Sequence, residues 1–236
     1  MAEQKAKGHE FEILRPGCSQ DGEGIPEVAY EHYLTALLAG DRRFCQATVE
    51  TLLDQRVPIR RIYEELFGRS LYRVGELWER GRISVAKEHL ATALTESLMT
   101  LVYPQLFAAP HTHHSAVVSC VTHEFHHIGG KMVADTFEFH GWNSYFLGAN
   151  TPIKDLLSLI DEKQPDVIAL SMTISFHLET LIRTLASIRL GFPNTPIWVG
   201  GQAFRWGGTE RVQEIQGAVV LSNLAEMETS LRDWGT

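Results

Sequence analysis

Short apolar runs alternate with amphipathic segments through the second half of the chain, and this alternation limits the fold more than any other feature. Each apolar run has the length of a strand, and the segments between them have helical periodicity. Strands separated by helices form a parallel sheet that is covered on both faces. The pattern predicts a flavodoxin-like sheet of order 2-1-3-4-5. Its strands are predicted at residues 116–121, 143–147, 166–172, 196–200 and 218–221, with a last helix at 223–234.

The first half of the chain has helical periodicity and clear signals for helix ends. Asp41 and Ser84 are residue types that cap helix N-termini, and Pro58 suits a first helical turn. Gly40 and Gly81 are suited to end helices. Helices that are joined by such short loops form an antiparallel bundle. Four helices are predicted, at residues 27–38, 41–56, 58–80 and 85–107.

These patterns together predict an α + α/β protein with two folded parts. At 236 residues, 44% of them hydrophobic, the chain can bury two ordinary cores. We expect a flexible tail at residues 1–25 and a four-helix bundle cap at 26–109. A linker at 110–115 and the α/β domain at 116–236 complete the expected organisation.

Charge and composition argue against several classes of function. The net charge of −8 is unlike that of a nucleic-acid-binding protein, and no direct contact with nucleic acid is expected. No signal peptide and no run long enough to cross a bilayer is visible, so we expect a cytoplasmic protein without membrane contact. Cys18, Cys45 and Cys120 show neither metal-binding nor redox spacing.

A carboxylate and an imidazole follow the first predicted strand. Glu124, His126 and Gly129 form the pattern Glu-x-His-x-x-Gly in the loop where open α/β sheets bind ligands. A metal-bound His commonly donates its second ring N–H to a carboxylate. His126 is therefore a candidate metal ligand with Glu124 as its support, and a purely structural histidine is the alternative.

This pattern resembles the motif of the cobalamin-binding domain family, in which the His is the lower axial ligand of cobalt. Later segments match that family in order: residues 147–152 its second loop, 171–173 its Ser-x-Thr loop and 199–201 its Gly-Gly loop. The resemblance implies that cobalamin is bound with its nucleotide tail in a slot of the α/β domain. The residues expected to line the slot are Gly129, Ser171, Thr173, Gly200 and Gly201.

The bundle carries a second group of candidate binding residues. Trp78 ends the third predicted helix, while Val85, Glu88 and His89 lie in the first turns of the fourth. Because the connection is short, these side chains should converge at one end of the bundle and can share one ligand. The alternative is that Trp78 fills the bundle end and Glu88 is a solvated first-turn acid.

Trp78, nine intervening residues and the Glu88-His89 pair resemble the signature of CarH-type adenosylcobalamin photoreceptors. The resemblance implies that these residues and Val85 contact the adenosyl group. It further implies that light breaks the cobalt–carbon bond, that the bundle shifts, and that a light-dependent homo-oligomer, a dimer or tetramer, changes its assembly. We expect a sensor that signals to a separate partner, and not an enzyme.

Two departures from that family pattern change the expectations. The helix-turn-helix domain of CarH-type repressors is not visible before Pro26, so a direct repressor role is not expected. Glu79 stands where the family carries a His that captures cobalt after photolysis. Water, and not a second protein imidazole, is therefore expected on the illuminated cofactor.

Alternative functions remain at this point. A corrinoid carrier of a methyltransferase system pairs a similar bundle and domain, although a Trp-Glu-His lid shaped for adenosine argues against it. A mutase subunit would need a substrate barrel. Some photoreceptor relatives also hold a bilin such as biliverdin. His111, His113 and His114 could help to hold a propionate or a metal, but a polar linker is the simpler interpretation.

Overall fold

The computed structural model describes residues 24–108 and 110–234. A helical part is followed by a five-stranded parallel sheet, which confirms the predicted fold class. The tail predicted at residues 1–25 lies almost entirely outside the described residues, as does Cys18. None of the helices within the two described stretches combines the length and the hydropathy that crossing a bilayer requires.

The helical part begins as the capping signals predict. Gly40 ends the first helix with a φ of 72°, and the Asp41 carboxylate then accepts a hydrogen bond from the amide of Phe44 at 3.1 Å. The Ser84 hydroxyl accepts from the Lys87 amide at 3.4 Å. The helices are α1 (Glu27–Ala39), α2 (Arg42–Asp54), α3 (Ile59–Arg61), α4 (Arg69–Glu79), α5 (Val85–Met99) and α6 (Tyr103–Leu106).

Two helices differ from the uninterrupted elements that the sequence predicts. The third predicted helix contains a π-helical segment, Ile62–Gly68, between α3 and α4. A Cβ on Gly68 would lie 3.0 Å from the carbonyl oxygen of Tyr63, so this segment leaves little room for a side chain at that position. The fourth predicted helix ends at Met99 because Pro104 lacks an amide hydrogen and crowds the preceding turn.

The sheet has the order β2-β1-β3-β4-β5 with every pair parallel, as predicted. The strands agree with the predicted ranges to within one residue at each end. They are β1 (Ser115–Cys120), β2 (Asn143–Phe146), β3 (Val167–Ser171), β4 (Ile197–Gly200) and β5 (Ala218–Val220). The covering helices are α7 (Ile128–Phe139), α8 (Ile153–Lys163), α9 (Leu178–Gly191), α10 (Thr209–Gln213) and α11 (Leu224–Arg232).

The bundle and one face of the sheet share a single hydrophobic core. Buried bundle residues form one cluster with α7, α11 and the strand side chains beneath them. The opposite face of the sheet packs on α8, α9 and α10 in a second cluster. The cap is therefore seated on the α7 and α11 side of the domain.

A buried polar network also crosses this contact. The Tyr63 hydroxyl donates to Asp135 at 2.7 Å, and Lys131 donates to Tyr103 at 2.5 Å and to Asp135 at 3.2 Å. Burial raises the pKa of Asp135, although Tyr63 and Lys131 act in the opposite direction. These four side chains tie the π-helical segment and α6 to α7.

The linker histidine nearest to the sheet packs on the domain. The His114 ring centroid lies 4.9 Å from that of Trp142, and its Nδ1 lies 3.5 Å from the carboxylate of Asp166. His111 and His113 are exposed. This arrangement favours the simpler interpretation of a polar linker.

Candidate functional site

The loop after β1 presents His126 on a buried carboxylate. Glu124 is fully buried, and one of its oxygens lies 2.5 Å from His126 Nδ1 and accepts from the His126 amide at 3.0 Å. The other oxygen accepts from the amides of Thr173 and Ile174 at 2.9 Å each. Two loops of the sheet edge thus converge on Glu124, which fixes the orientation of the imidazole.

The electrostatics of this pair favour an ionised carboxylate. Burial alone would raise the pKa of Glu124, but the hydrogen bonds from His126, Ile174 and Thr173 lower it to about 2. The bond to Glu124 in turn raises the pKa of His126, with a smaller contribution from the charge of Glu88. Since Nδ1 donates to Glu124, the neutral ring offers its Nε2 lone pair, and 56% of the side chain is exposed.

The donor set around His126 limits which metal complex it can bind. Within residues 24–108 and 110–234, no group of three or more His, Cys, Asp or Glu side chains could hold a metal ion. A metal complex that carries most of its own ligands fits this donor set, because one imidazole can then complete its coordination. Cobalt in a corrin ring is such a complex, since the ring supplies four nitrogens.

A cavity of about 290 Å³ lies between the sheet edge and the cap. Four of the five residues predicted for the slot line it: Gly129, Ser171, Gly200 and Gly201. Thr173 does not line this cavity, and its place in the slot stays a prediction. The Thr173 amide is instead directed at Glu124, so its contribution is to the ligand loop.

Glycines in the cavity wall are required for different reasons. Gly201 has a φ of 119°, and a Cβ there would lie 2.2 Å from the carbonyl oxygen of Met172. The fold itself thus requires glycine at this position. A Cβ on Gly129 would meet only the Ser171 hydroxyl, at 3.7 Å, which is an ordinary contact. The fold tolerates a side chain at Gly129. Glycine at this position leaves the cavity wider than a larger residue would.

Other cavity residues come from positions that no local pattern marks. Tyr63, Glu64 and Gly68 of the π-helical segment form the cap side of the wall. Trp198 of β4 and Arg205, in the turn that follows, lie on the domain side. Gly68, a glycine inside a predicted helix, is the one local signal among these residues. It does not indicate which surface packs against that helix. These residues meet only because the cap packs on the sheet.

The predicted cap residues lie at one end of the bundle, where α4 ends and α5 begins. Trp78 is 47% exposed and Val85 is 51% exposed, so the indole does not fill the bundle interior. Glu88 lies 2.5 Å from His89 Nδ1 and accepts from the Thr92 hydroxyl at 2.8 Å. The charge of Glu88 makes a small contribution to the raised pKa of His126. Further along α5, Glu96 lies 3.0 Å from Nε2 of His127 in the ligand loop.

Comparison with known proteins identifies the class to which this fold and loop belong. Two models described as B12 binding domain match the chain, one at residues 29–103 and the other at residues 114–225. The helical cap and the α/β domain are therefore those of a B12-binding protein.

Two transcriptional repressors of Myxococcus xanthus are similar in sequence. The HTH-type repressor CarH is 32% identical over 207 residues, covering 86% of this chain and 67% of CarH. The HTH-type repressor CarA is 34% identical over 125 residues, covering 52% of this chain and 43% of CarA. The chain belongs to the CarH family of B12-binding proteins, and it spans about two thirds of CarH and less than half of CarA.

A solved structure shares the fold at low sequence identity. The monomethylamine corrinoid protein of Methanosarcina barkeri superposes with a TM-score of 0.73 at 14% identity, covering 88% of this chain and 99% of that protein. This similarity supports the architecture of a helical cap followed by a parallel sheet.

Proposed function

We propose that the protein is a light sensor that binds adenosylcobalamin between the loop of His126 and the bundle end at Trp78. The observation that carries the proposal is the pair of half-exposed apolar side chains, Trp78 and Val85, where α5 begins. The same helix contacts the ligand loop, because Glu96 lies 3.0 Å from His127 Nε2. When bound, this cofactor supplies a cobalt–carbon bond that visible light breaks.

The lower half of the proposed site holds the cofactor in place. His126 would bind cobalt through Nε2, while Glu124 fixes the tautomer and the orientation of the ring. The cavity beside Gly129 and Ser171 would accept the nucleotide tail. An exposed imidazole on a buried, fully hydrogen-bonded carboxylate fits that role, because a structural histidine would be expected to use both ring nitrogens within the fold.

The upper half of the proposed site selects the group above cobalt. An indole and a valine that are half exposed can cover the flat face of an adenine. Glu88 and His89 offer an acceptor and a second polar group to a ribose at the edge of that face. Covering Trp78 and Val85 removes apolar surface from water, so the cap itself favours a ligand of this shape.

The signal would arise from the same contact surface. A bound upper group would cover Trp78 and Val85, and its departure would expose both side chains to water again. The cap would then repack on α7, and the self-association of the protein would change. A homo-oligomer, dimer or tetramer, and a separate signalling partner follow from this proposal, with no catalytic role. The net charge of −8 supports signalling without direct contact with nucleic acid.

A corrinoid carrier is the second candidate, favoured by the shared architecture with the monomethylamine corrinoid protein. A carrier presents its upper ligand to partner enzymes. The exposed Trp78 at the bundle end suits a bulky upper ligand better than a methyl group, which supports the sensor.

The decisive experiment loads the purified protein with adenosylcobalamin in the dark and records absorption and size-exclusion profiles before and after green light. The sensor requires a light-dependent spectral change together with a change in elution volume. Protein loaded with hydroxocobalamin, which lacks a cobalt–carbon bond, is the control. A photostable spectrum overturns the sensor, and tighter binding of methylcobalamin than of adenosylcobalamin supports the carrier.

A further inference from the structure

One cation lines the cavity between the cap and the sheet. Among the described residues of its wall, Arg205 is the only Lys or Arg, and Glu64 is the only acid. Glu64 is already engaged, since it accepts from the Leu224 amide at 2.7 Å and from Arg60 at 3.0 Å. The cavity therefore offers a ligand one positive charge and no free negative charge.

Arg205 differs from the neighbouring arginines in its partners. Arg69 is paired with Glu27 at 2.5 Å, and Arg73 with Glu76 at 2.9 Å. Within residues 24–108 and 110–234, no carboxylate lies within ion-pair distance of Arg205. Its guanidinium instead lies over the ring of Tyr72, 4.9 Å from the centroid. A contact with an aromatic face leaves the N–H groups of a guanidinium free to donate.

The position of Arg205 suits a ligand that enters from the sheet edge. It lies in the turn Gln202–Trp206, which follows the Gly200–Gly201 pair of the cavity wall. Tyr72, on α4 of the cap, holds the guanidinium from the other side and also lines the cavity. Arg205 and Tyr72 further border a second, open cavity of about 570 Å³. The guanidinium is thus at the mouth of the first cavity.

The nucleotide tail of cobalamin contains one phosphodiester, which carries one negative charge. We propose that Arg205 binds this phosphodiester and makes the protein selective for complete cobalamins over corrinoids that lack the tail. The inference rests on the proposed cobalamin site. The planar fork of Arg matches two phosphate oxygens, which a Lys cannot do.

The expected effect is moderate because Arg205 is exposed and water competes for both charges. An exposed charge-assisted contact corresponds to a change in affinity of about three- to tenfold. Tyr72 would act as a positioning residue, because its ring limits where the guanidinium can lie. Tyr72→Ala should therefore reduce the same selectivity by a smaller factor.

The test combines a change in the protein with a change in the ligand. Cobalamin and cobinamide, which lacks the nucleotide tail, are titrated into wild-type protein and Arg205→Ala, with binding followed by absorption. We expect the variant to bind cobalamin about three- to tenfold more weakly and cobinamide within about twofold of the wild type. Arg205→Lys should recover only part of the loss. Arg183→Ala, which removes an exposed arginine outside the cavity wall, is the matched control.

Each outcome of the titration has one interpretation. Equal losses for both ligands, or no loss for either, overturn the role of Arg205 and leave the cobalamin site intact. A wild-type protein that binds neither ligand overturns the cobalamin site, and the inference about Arg205 with it. Salt that weakens only cobalamin binding, and only in the wild type, further supports a charge contact.

Discussion

The loop of His126 and the bundle end at Trp78 would face the same cofactor, yet they are built in opposite ways. Glu124 is fully buried and accepts four hydrogen bonds, so the imidazole is oriented before any ligand arrives. At the bundle end, Trp78 and Val85 leave about half of their surface in water. The loop of His126 is thus preorganised, whereas the bundle end at Trp78 would be covered only when a ligand binds.

This difference indicates which half can carry a signal. A preorganised ligand loop gains little freedom when the upper group leaves, since its hydrogen bonds are made within the domain. In the part of the chain that the structure describes, the side chains of Trp78 and Val85 make no hydrogen bonds to the loop, and a bound ligand would cover them. Removal of an upper ligand should therefore affect the cap first, while the cofactor stays bound below.

Replacing His126 with Ala should produce the largest effect, since it removes the proposed cobalt ligand itself. Loss of an outer partner typically costs about 10- to 100-fold in affinity, and loss of the ligand should exceed about 100-fold. Absorption titration with cobalamin measures it. His127→Ala is the control, because that neighbouring ring bonds to Glu96 of the cap. An unchanged histidine-bound spectrum in His126→Ala would contradict the assignment.

Replacing Glu124 with Gln should give the next largest effect. An amide at this position turns an N–H₂ group toward donors, which should cost about 1–3 kcal/mol of stability and about 10- to 100-fold in affinity. The pKa of Glu124 is lowered to about 2, so the stabilisation that its charge provides is fully present above the ordinary carboxyl pKa of 4.5.

The stability advantage of wild type over Glu124→Gln should therefore shrink as pH falls from 4.5 towards 2 in denaturant titrations. Glu96→Gln, at an exposed carboxylate, is the control. A pH-independent difference between wild type and Glu124→Gln would show that the charge of Glu124 is not what stabilises the loop.

Two glycine variants should separate the demands of the fold from those of the ligand. Gly129→Ala should leave the cofactor-free protein as stable as the wild type but lower cobalamin affinity about tenfold, because a methyl group enters the cavity. Gly201→Ala should destabilise the protein without cofactor by about 3 kcal/mol. Thermal unfolding and titration measure the two effects. If both variants lose stability equally, Gly129 has a structural role that its contacts do not indicate.

The smallest expected effect is that of Trp78→Ala. The half-exposed indole contributes little to folding, so stability should change by less than about 0.5 kcal/mol. The preference for adenosylcobalamin over methylcobalamin should fall about fivefold, as for an aromatic contact worth about 1 kcal/mol. Trp206→Ala, at another exposed indole, is the control. A preserved preference would assign Trp78 no part in selecting the upper ligand.

Periodicity and helix-capping residues were sufficient to predict most of the fold. Asp41 and Ser84 cap the helices as their residue types indicate, and the apolar runs are the five strands in the predicted order. The π-helical segment was not predicted, because its geometry depends on packing that no short pattern encodes. Pro104 explains the early end of α5, and its position carried that information.

In the candidate site too, the sequence predicts residues that lie close together in the chain and misses those that meet through long-range packing. Glu124 and His126 are two residues apart, so local geometry lets them meet and a motif can predict the pair. The motif also predicts Thr173 in the slot, and the structure adds that its amide donates to Glu124, a contact that the motif does not indicate. Tyr63 and Arg205 reach the cavity through the packing of the cap on the domain, and this long-range contact leaves no local signal.

Electron paramagnetic resonance of the protein loaded with cob(II)alamin tests the central claim, that a protein imidazole binds cobalt from below. Two samples are compared, one unlabelled and one with histidine enriched in the heavy stable isotope of nitrogen. Ligation by His126 predicts nitrogen splitting that changes from triplets to doublets on labelling, and these doublets should be absent from labelled His126→Ala. Triplets that persist in the labelled protein would show that the benzimidazole of the cofactor still binds the cobalt, and would contradict the account.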